Sequence, residues 1–245
     1  MRSSISCSLA LLGAVSAQDA LAQSASPMRT ERPSFSTNAY VLPAGAWQIE
    51  TGYLYTNDSD GADFEQHTLP QALLRYGLNE DVELQFGWPG LSWRDAGNGS
   101  DNGMNDASIG VKVQVTDDYA ATPVSFFAAL SLPVGDDEFS SDSYDPSIGA
   151  AWAHARFFGT VLISASDNDY TFENGLGMNF ALQDNTSAFA EWQATVPEDG
   201  GSAHSLNGGI LWLRQENMQL DLNAALGLND RAADFSIGAG FSYRF

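Results

Sequence analysis

"FSIGAGFSYRF", residues 235–245, places an apolar or aromatic side chain at every second position and ends the chain on Phe245. Serine, glycine and one arginine fill the positions between. Neighbouring side chains of a β-strand point to opposite faces, so the stretch predicts a strand with one apolar and one polar face. Chain ends are usually polar and poorly ordered, and this one instead predicts a terminal strand held in a sheet.

The same alternation recurs along the chain. It is clearest at Asp81–Trp88, Asp106–Val115 and Asn217–Leu226. Less regular versions lie at Trp47–Thr56, His67–Tyr76, Pro123–Leu132, Asp145–Ala153, Phe157–Ala165, Phe172–Gln183, Thr186–Val196 and His204–Arg214. Together with 235–245 these are about 12 segments, each near the ~10 residues with which a tilted strand crosses a bilayer.

The connections between the segments alternate in length. Long polar loops at 57–66, 89–105 and 134–144 are each followed by a shorter connection, at 77–80, 116–122 and 154–156. Outer-membrane barrels combine long external loops with tight periplasmic turns. We therefore predict an all-β, transmembrane, antiparallel up-and-down barrel over residues 46–245, in a bacterial outer membrane with both termini in the periplasm. A secreted β-sandwich is the alternative, but a charged or amide face that persists over a dozen segments favours the barrel.

The composition and the N-terminus agree with export. The net charge is −21, which argues against a nucleic-acid partner. Arg2, an apolar stretch at 9–15 and a small-residue cleavage site at 20–22 predict a signal peptide over residues 1–22. Cys7, the single cysteine, lies within that segment. No cofactor or metal site is predicted.

The closing strand carries a second prediction. Phe241, Tyr243 and Phe245 occupy alternate positions at the chain end. This arrangement is similar to the C-terminal signal by which the insertion machinery recognises outer-membrane barrels. The expected partners are therefore that machinery, outer-membrane lipids with lipopolysaccharide, and a small solute of unknown identity.

Three short segments near the N-terminus carry a family resemblance. They are Glu31-Arg32-Pro33, then Leu42-Pro43-Ala44-Gly45, then Glu50-Thr51-Gly52-Tyr53. Their order resembles the opening of the outer-membrane transporter family named for the meta pathway of phenol degradation. The resemblance implies a barrel that passes small, often aromatic, molecules, and it brings no established binding residues.

Function in such a barrel depends on its lumen. Turning the polar face inward gives as lumen-lining candidates Glu50, Gln71, Arg75, Glu83, Lys112, Glu173, Glu191, Asp221 and Arg244. Acids outnumber bases among them, so an open path should favour cations or neutral solutes. Alternatively, the opposite charges pair across the lumen and brace the wall, and both roles can coexist.

Residues 23–45 precede the first predicted strand and contain Arg29 and Arg32. This periplasmic segment either enters the barrel and plugs it, with its arginines against the acidic wall, or forms a disordered tail. The acidic loops at 57–65, 95–106 and 135–145 either bind divalent cations or are solvated and mobile.

We expect no enzymatic activity. The only histidines are His67, His154 and His204, and no Gly-x-Ser-x-Gly or HExxH motif or P-loop is present. The favoured function is a channel for small solutes, with aromatic compounds suggested by the resemblance. A structural or loop-displaying barrel without transport is the alternative.

Overall fold

The computed structural model describes residues 28–59, 63–97, 99–117, 120–166 and 169–245. The expected signal peptide at 1–22 lies outside the described residues, as do positions 23–27 of the segment that follows it. Within the described residues no helix is long and apolar enough to cross a membrane.

The described chain is almost entirely β-strand. The strands are β1 (Trp47–Asp58), β2 (Phe64–Gly77), β3 (Val82–Ala96), β4 (Gly99–Met104), β5 (Ala107–Gln114), β6 (Val124–Leu132), β7 (Pro146–His154), β8 (Phe157–Ser166), β9 (Asp169–Gln183), β10 (Thr186–Pro197), β11 (Ala203–Gln215), β12 (Met218–Gly227) and β13 (Phe235–Arg244). One turn of 3-10 helix at Asp137–Phe139 lies between β6 and β7.

The strands close into an up-and-down barrel. Consecutive strands pair antiparallel, except β4 with β5, and β1 pairs with β13 from Gln48 opposite Arg244 to Asn57 opposite Phe235. β4 and β5 both pair with β3, so they form one interrupted strand of the wall. The predicted all-β, twelve-strand transmembrane barrel is therefore confirmed.

One predicted loop is wrong. Residues 89–105 do not form a long loop; most of them extend the sheet as the upper part of β3 and as β4. Alternation continues beyond Pro89, with Leu91 and Trp93 exposed and Ser92 fully buried between them. The glycines and acidic residues in this stretch concealed that pattern in the sequence.

The outer surface of the barrel is apolar. Leu84, Phe86, Ile109, Phe126 and Leu222 are all exposed although each is large and hydrophobic. In the closing strand, Phe241 stacks on Tyr243, and Tyr243 contacts Phe245 edge-on. A continuous belt of such residues needs lipid rather than water as its surroundings.

The interior of the barrel is polar, unlike the apolar core of a soluble protein. Apart from Leu42, the largest fully buried side chains are charged or polar, among them Arg75, Lys112, Glu50, Glu83 and Glu191. Buried charges are costly unless paired and hydrogen-bonded, so these residues need partners inside the barrel.

Three wall connections are tight turns, at 155–156, 184–185 and 216–217, and we call the end of the barrel that holds them the turn end. The other end is the loop end.

Candidate functional site: the barrel interior

Residues 28–45, which we call the plug, lie inside the barrel. They hydrogen-bond to wall residues on strands around the circumference, namely Gln48, Arg75, Glu83, Lys112, Thr160, Glu191, Asn207 and Gln219. A segment that contacts strands all round a closed barrel can only lie within it. Both ends of the plug lie near the turn end. There the Arg29 backbone carbonyl accepts from the Gln48 side-chain amide, and the Gly45 N–H donates to the Gly77 carbonyl.

Wall carboxylates hold the plug mainly through its backbone. Glu50 accepts from the backbone N–H groups of Glu31 and Arg32, both at 2.9 Å. Glu191 accepts from Phe35 at 2.8 Å and from Ser36 at 2.7 Å. Hydrogen bonds to an ionised carboxylate are short and strong, and two on one side chain fix the plug backbone in position.

The cation Arg75 organises the turn-end half of the interior. Its guanidinium contacts Glu83 at 2.7 Å, Glu50 at 2.8 Å and the plug residue Glu31 at 3.2 Å. Glu31 also pairs with Lys112, the sole lysine of the chain. Glu83 in turn accepts from the backbone N–H of Leu42 at 2.8 Å. Charges from wall and plug are thus paired in a single buried network.

Arg32 forms the tip of the plug and packs on glycine. Gly52 of β1 and Gly240 of β13 are paired neighbours on adjacent strands of the wall. A Cβ added at Gly52 would lie 2.4 Å from the Arg32 guanidinium carbon, and one at Gly240 would lie 2.2 Å from its Nε. The guanidinium also donates to Gln71 at 2.9 Å and pairs with Asp221 at 3.3 Å. The Arg32 guanidinium fits here because Gly52 and Gly240 have no side chains.

Cavities lie on both sides of the plug. The first, of about 540 Å³, is lined by the plug residues Glu31–Phe35 and by wall residues toward the loop end, and we call it the outer chamber. The second, of about 330 Å³, lies between residues 28–40 of the plug and wall residues that include Phe158 and Phe189. A further space of about 300 Å³ near the loop end is lined by Arg231 and Ala232 and shares Gln193 and Ser236 with the outer chamber. The plug thus lies between the outer chamber and the second cavity.

The lining of the outer chamber is mostly uncharged. It offers the amides of Gln71, Gln193, Asn207 and Asn223 and the ring of Phe35. Its charged groups are Glu31 and Arg32, both of which belong to the plug. The wall carboxylates Glu50, Glu83 and Glu191 bind the plug instead of lining this space.

The remaining lumen candidates are less involved with the plug. Arg244 donates to Gln48 at 3.0 Å near the turn end. Glu173 on β9 is half-buried. The plug residue Glu31 connects Arg75, with its partners Glu50 and Glu83, to Lys112. Gln71 and Asp221 both contact Arg32. Glu191, on β10, binds the plug separately at Phe35 and Ser36. Glu31, Gly52 and Gly240 were not among the predicted site residues.

The loop between β6 and β7 is held by carboxylates. Asp106 accepts from the backbone N–H groups of Val134 at 3.1 Å, Gly135 at 2.9 Å and Ser141 at 3.0 Å. Partial burial raises the pKa of Asp106, but these hydrogen bonds outweigh it and hold the pKa below its ordinary value. Among the described residues no cluster of His, Cys, Asp or Glu has the arrangement of a metal site.

The histidines contact hydroxyl groups at separate places on the barrel. His67 lies 2.6 Å from the Tyr53 hydroxyl, His154 lies 2.7 Å from Thr122, and His204 lies 2.8 Å from Ser202. The expectation that the protein is not an enzyme stays a prediction.

The closed wall, the apolar outer surface, the charged interior and the internal plug together define a membrane-spanning β-barrel that holds a segment of its own chain in its lumen. Residues 30–245 match the family described as "Putative MetA-pathway of phenol degradation", and the chain belongs to that family. This confirms the resemblance noted in the sequence. A comparison with curated protein sequences gives no significant match.

Solved structures with the same fold are outer-membrane channels and porins. An outer-membrane channel from Pseudomonas putida F1 superposes with a TM-score of 0.65 at 16% identity, covering 85% of this chain and 98% of that one. The KdgM porin gives 0.54 at 11% identity, over 81% and 99% of the two chains. The NanC porin gives 0.51 at 10% identity, over 80% and 98%. At these identities the likeness shows the fold.

Proposed function

We propose that the protein is an outer-membrane channel for small solutes, closed along its axis by the plug in the state described. The observation that carries the proposal is the position of the plug between the outer chamber and the second cavity. A purely structural barrel would need neither a solute-sized outer chamber nor a plug bound beneath it by hydrogen bonds. The loop end then faces the outside and the turn end the periplasm, as in other barrels with long loops and tight turns.

The proposed mode of transport is passive diffusion of small molecules through the lumen. Neighbours with this fold are named as channels and porins, and the family description refers to phenol degradation. Aromatic solutes fit the outer chamber because Phe35 supplies a ring and four amides supply hydrogen bonds. The solute class is part of the proposal.

Removing the plug should change ion selectivity. The predicted lumen set then exposes Glu50, Glu83, Glu173, Glu191 and Asp221 against Arg75, Lys112 and Arg244. Five acids against three bases favour cations in an unplugged pore.

The test is planar-bilayer recording of the refolded protein with and without residues 23–40, in a salt gradient. We expect the deletion to increase conductance severalfold and to shift the reversal potential toward that of the cation. The exchange Glu216→Gln, in an exposed turn, is the matched control and should change neither. A correctly folded deletion variant that does not conduct would instead support the structural barrel.

A further inference from the structure

The second cavity, between the plug and the wall around Phe158 and Phe189, has a lining whose charge is opposite to that of the chain. Among the described residues the lining contains two arginines, Arg29 and Arg32, and no aspartate or glutamate. The chain as a whole has 31 acidic residues against 10 lysines and arginines. A positively charged lining in so acidic a protein indicates a site for an anion.

The two arginines of this lining differ in their partners. Arg32 pairs with Asp221 and donates to Gln71, whereas Arg29 takes part in none of the ion pairs between described residues. The Nη1 atom of Arg29 is buried and has no hydrogen-bond acceptor among the described residues. Residues 23–27, which precede the described part of the plug, contain no acid that could pair with it. A buried donor without an acceptor is costly, so a ligand that accepts from Arg29 would bind favourably.

Tyr40 positions the Arg29 guanidinium within the plug. The guanidinium carbon lies 3.1 Å from the centre of the Tyr40 ring, and both residues line the second cavity. The face of a ring attracts a cation, but it offers no acceptor in the plane of the guanidinium, where the N–H groups point. A carboxylate can accept two parallel hydrogen bonds from a guanidinium and would supply the missing acceptor.

Two phenylalanines form the apolar side of the cavity. Phe158 of β8 and Phe189 of β10 have ring centres 6.5 Å apart, with their planes tilted by 60°. Each ring lies over a glycine of an adjacent strand: a Cβ at Gly177 would lie 2.3 Å from Phe158, and one at Gly209 would lie 2.6 Å from Phe189. The glycines allow both rings to lie close to the wall, so space remains between the rings and the plug. An aromatic ligand can pack edge-on or offset against such a pair.

The size and the position of the cavity suit a ligand with one ring. Its volume of about 330 Å³ exceeds the roughly 150 Å³ that holds benzene in an engineered protein cavity, so room remains for a carboxylate group. Its wall residues Ala153 and Phe158 flank the tight turn at 155–156, and Ser187 follows the tight turn at 184–185. The cavity therefore lies toward the turn end, on the other side of the plug from the outer chamber.

We propose that the second cavity binds a small aromatic carboxylate, with Arg29 donating to the carboxylate group and Phe158 and Phe189 contacting the ring. The proposal goes beyond the channel function, because binding at this site requires the plugged barrel but no conduction. An uncharged aromatic molecule of the same shape keeps the ring contacts and loses the charged bond to Arg29, so it binds more weakly.

The test is a fluorine NMR titration of the refolded protein in lipid nanodiscs with para-fluorobenzoate and para-fluorobenzamide, which match in shape and differ in charge. We expect saturable binding of the benzoate, roughly tenfold tighter than that of the benzamide. Arg29→Gln should abolish this preference and leave benzamide binding unchanged. Arg214→Gln makes the same change of charge at an exposed position and should keep the preference. Phe189→Leu should weaken the binding of both probes.

Three results would overturn the carboxylate site: equal affinities of the unaltered protein for the two probes, a benzoate preference that persists in Arg29→Gln, and binding that Phe189→Leu leaves unchanged. If Arg29→Gln does not fold, the comparison of the two probes on the unaltered protein and the Phe189→Leu variant still decides. None of these measurements depends on conductance, so failure of the carboxylate site leaves the proposed channel function standing.

Discussion

Gly52 and Gly240 face each other across β1 and β13, and the guanidinium of Arg32 packs against both of them. The plug tip is therefore positioned by the absence of two side chains as much as by its polar contacts with Gln71 and Asp221. This glycine pair favours one position of Arg32 in the lumen, in addition to the hydrogen bonds and ion pairs that hold the plug.

Gly240→Ala should release the plug tip. Its Cβ would lie 2.2 Å from the Arg32 Nε and 2.7 Å from an Asp221 oxygen, both at the ends of flexible side chains, so the wall itself is spared. We expect more frequent channel openings in bilayer recordings. In an Arg32→Ala background the same exchange should have no further effect, because the two changes act through one contact. Gly208→Ala, at an outward site with its nearest atom at 3.2 Å, is the control.

Glu191→Gln should weaken plug docking. The carboxylate accepts from the backbone N–H groups of Phe35 and Ser36, and an amide offers one uncharged acceptor oxygen in place of two ionised ones. A hydrogen bond to a charged group contributes about 2 kcal/mol, so the open fraction should rise about 30-fold. Single-channel open times measure it. An open fraction equal to that of the unaltered protein would contradict the proposed role of this carboxylate.

Arg75→Ala should destabilise the whole barrel. Removing the guanidinium leaves Glu50 and Glu83 in the interior without this ion-pair partner, and Glu31 keeps only Lys112 of its two cations. Breaking a buried ion pair on one side typically costs about 3–5 kcal/mol. Urea unfolding in lipid vesicles should show this loss, and Arg214→Ala, at an exposed position, should show none. Unchanged stability would mean that the network adds little to the folded state.

The β6–β7 loop should loosen in acid. The hydrogen bonds to Asp106 lower its pKa below the ordinary 3.8, so the folded loop gains stability from the ionised form above that pH. This contribution is fully present above the unfolded pKa and is lost as the pH falls through the lower, folded pKa. NMR of the Gly135 and Ser141 amides should show a transition below pH 3.8. Asp106→Asn should remove it, and a transition that persists in this variant would assign the effect elsewhere.

The sequence predicted the barrel because alternation depends only on neighbouring residues. It also placed Glu50, Arg75, Glu83 and Glu191 on the polar face, and all four are buried. It could not show that carboxylates bind the plug by its backbone, because every residue except proline carries the same N–H group. Arg29 and Arg32 suggested pairing with acidic side chains; Arg32 does contact Asp221, whereas Arg29 lies over the Tyr40 ring. The register shift of β2 between Glu50 and Leu54 of β1 was missed because a single proline, Pro70, does not reveal it in the sequence.

A disulfide between plug and wall tests the central claim most directly. A Cβ at Gly175 would lie 2.2 Å from the Ser36 Oγ, so a small shift of the plug brings thiols at these two positions within reach of a disulfide. The variant carries Ser36→Cys, Gly175→Cys and Cys7→Ser. The measurement is single-channel conductance of this variant before and after reduction. We predict a silent barrel when oxidised and discrete openings when reduced. The same conductance in both states would show that the plug does not control the axial path.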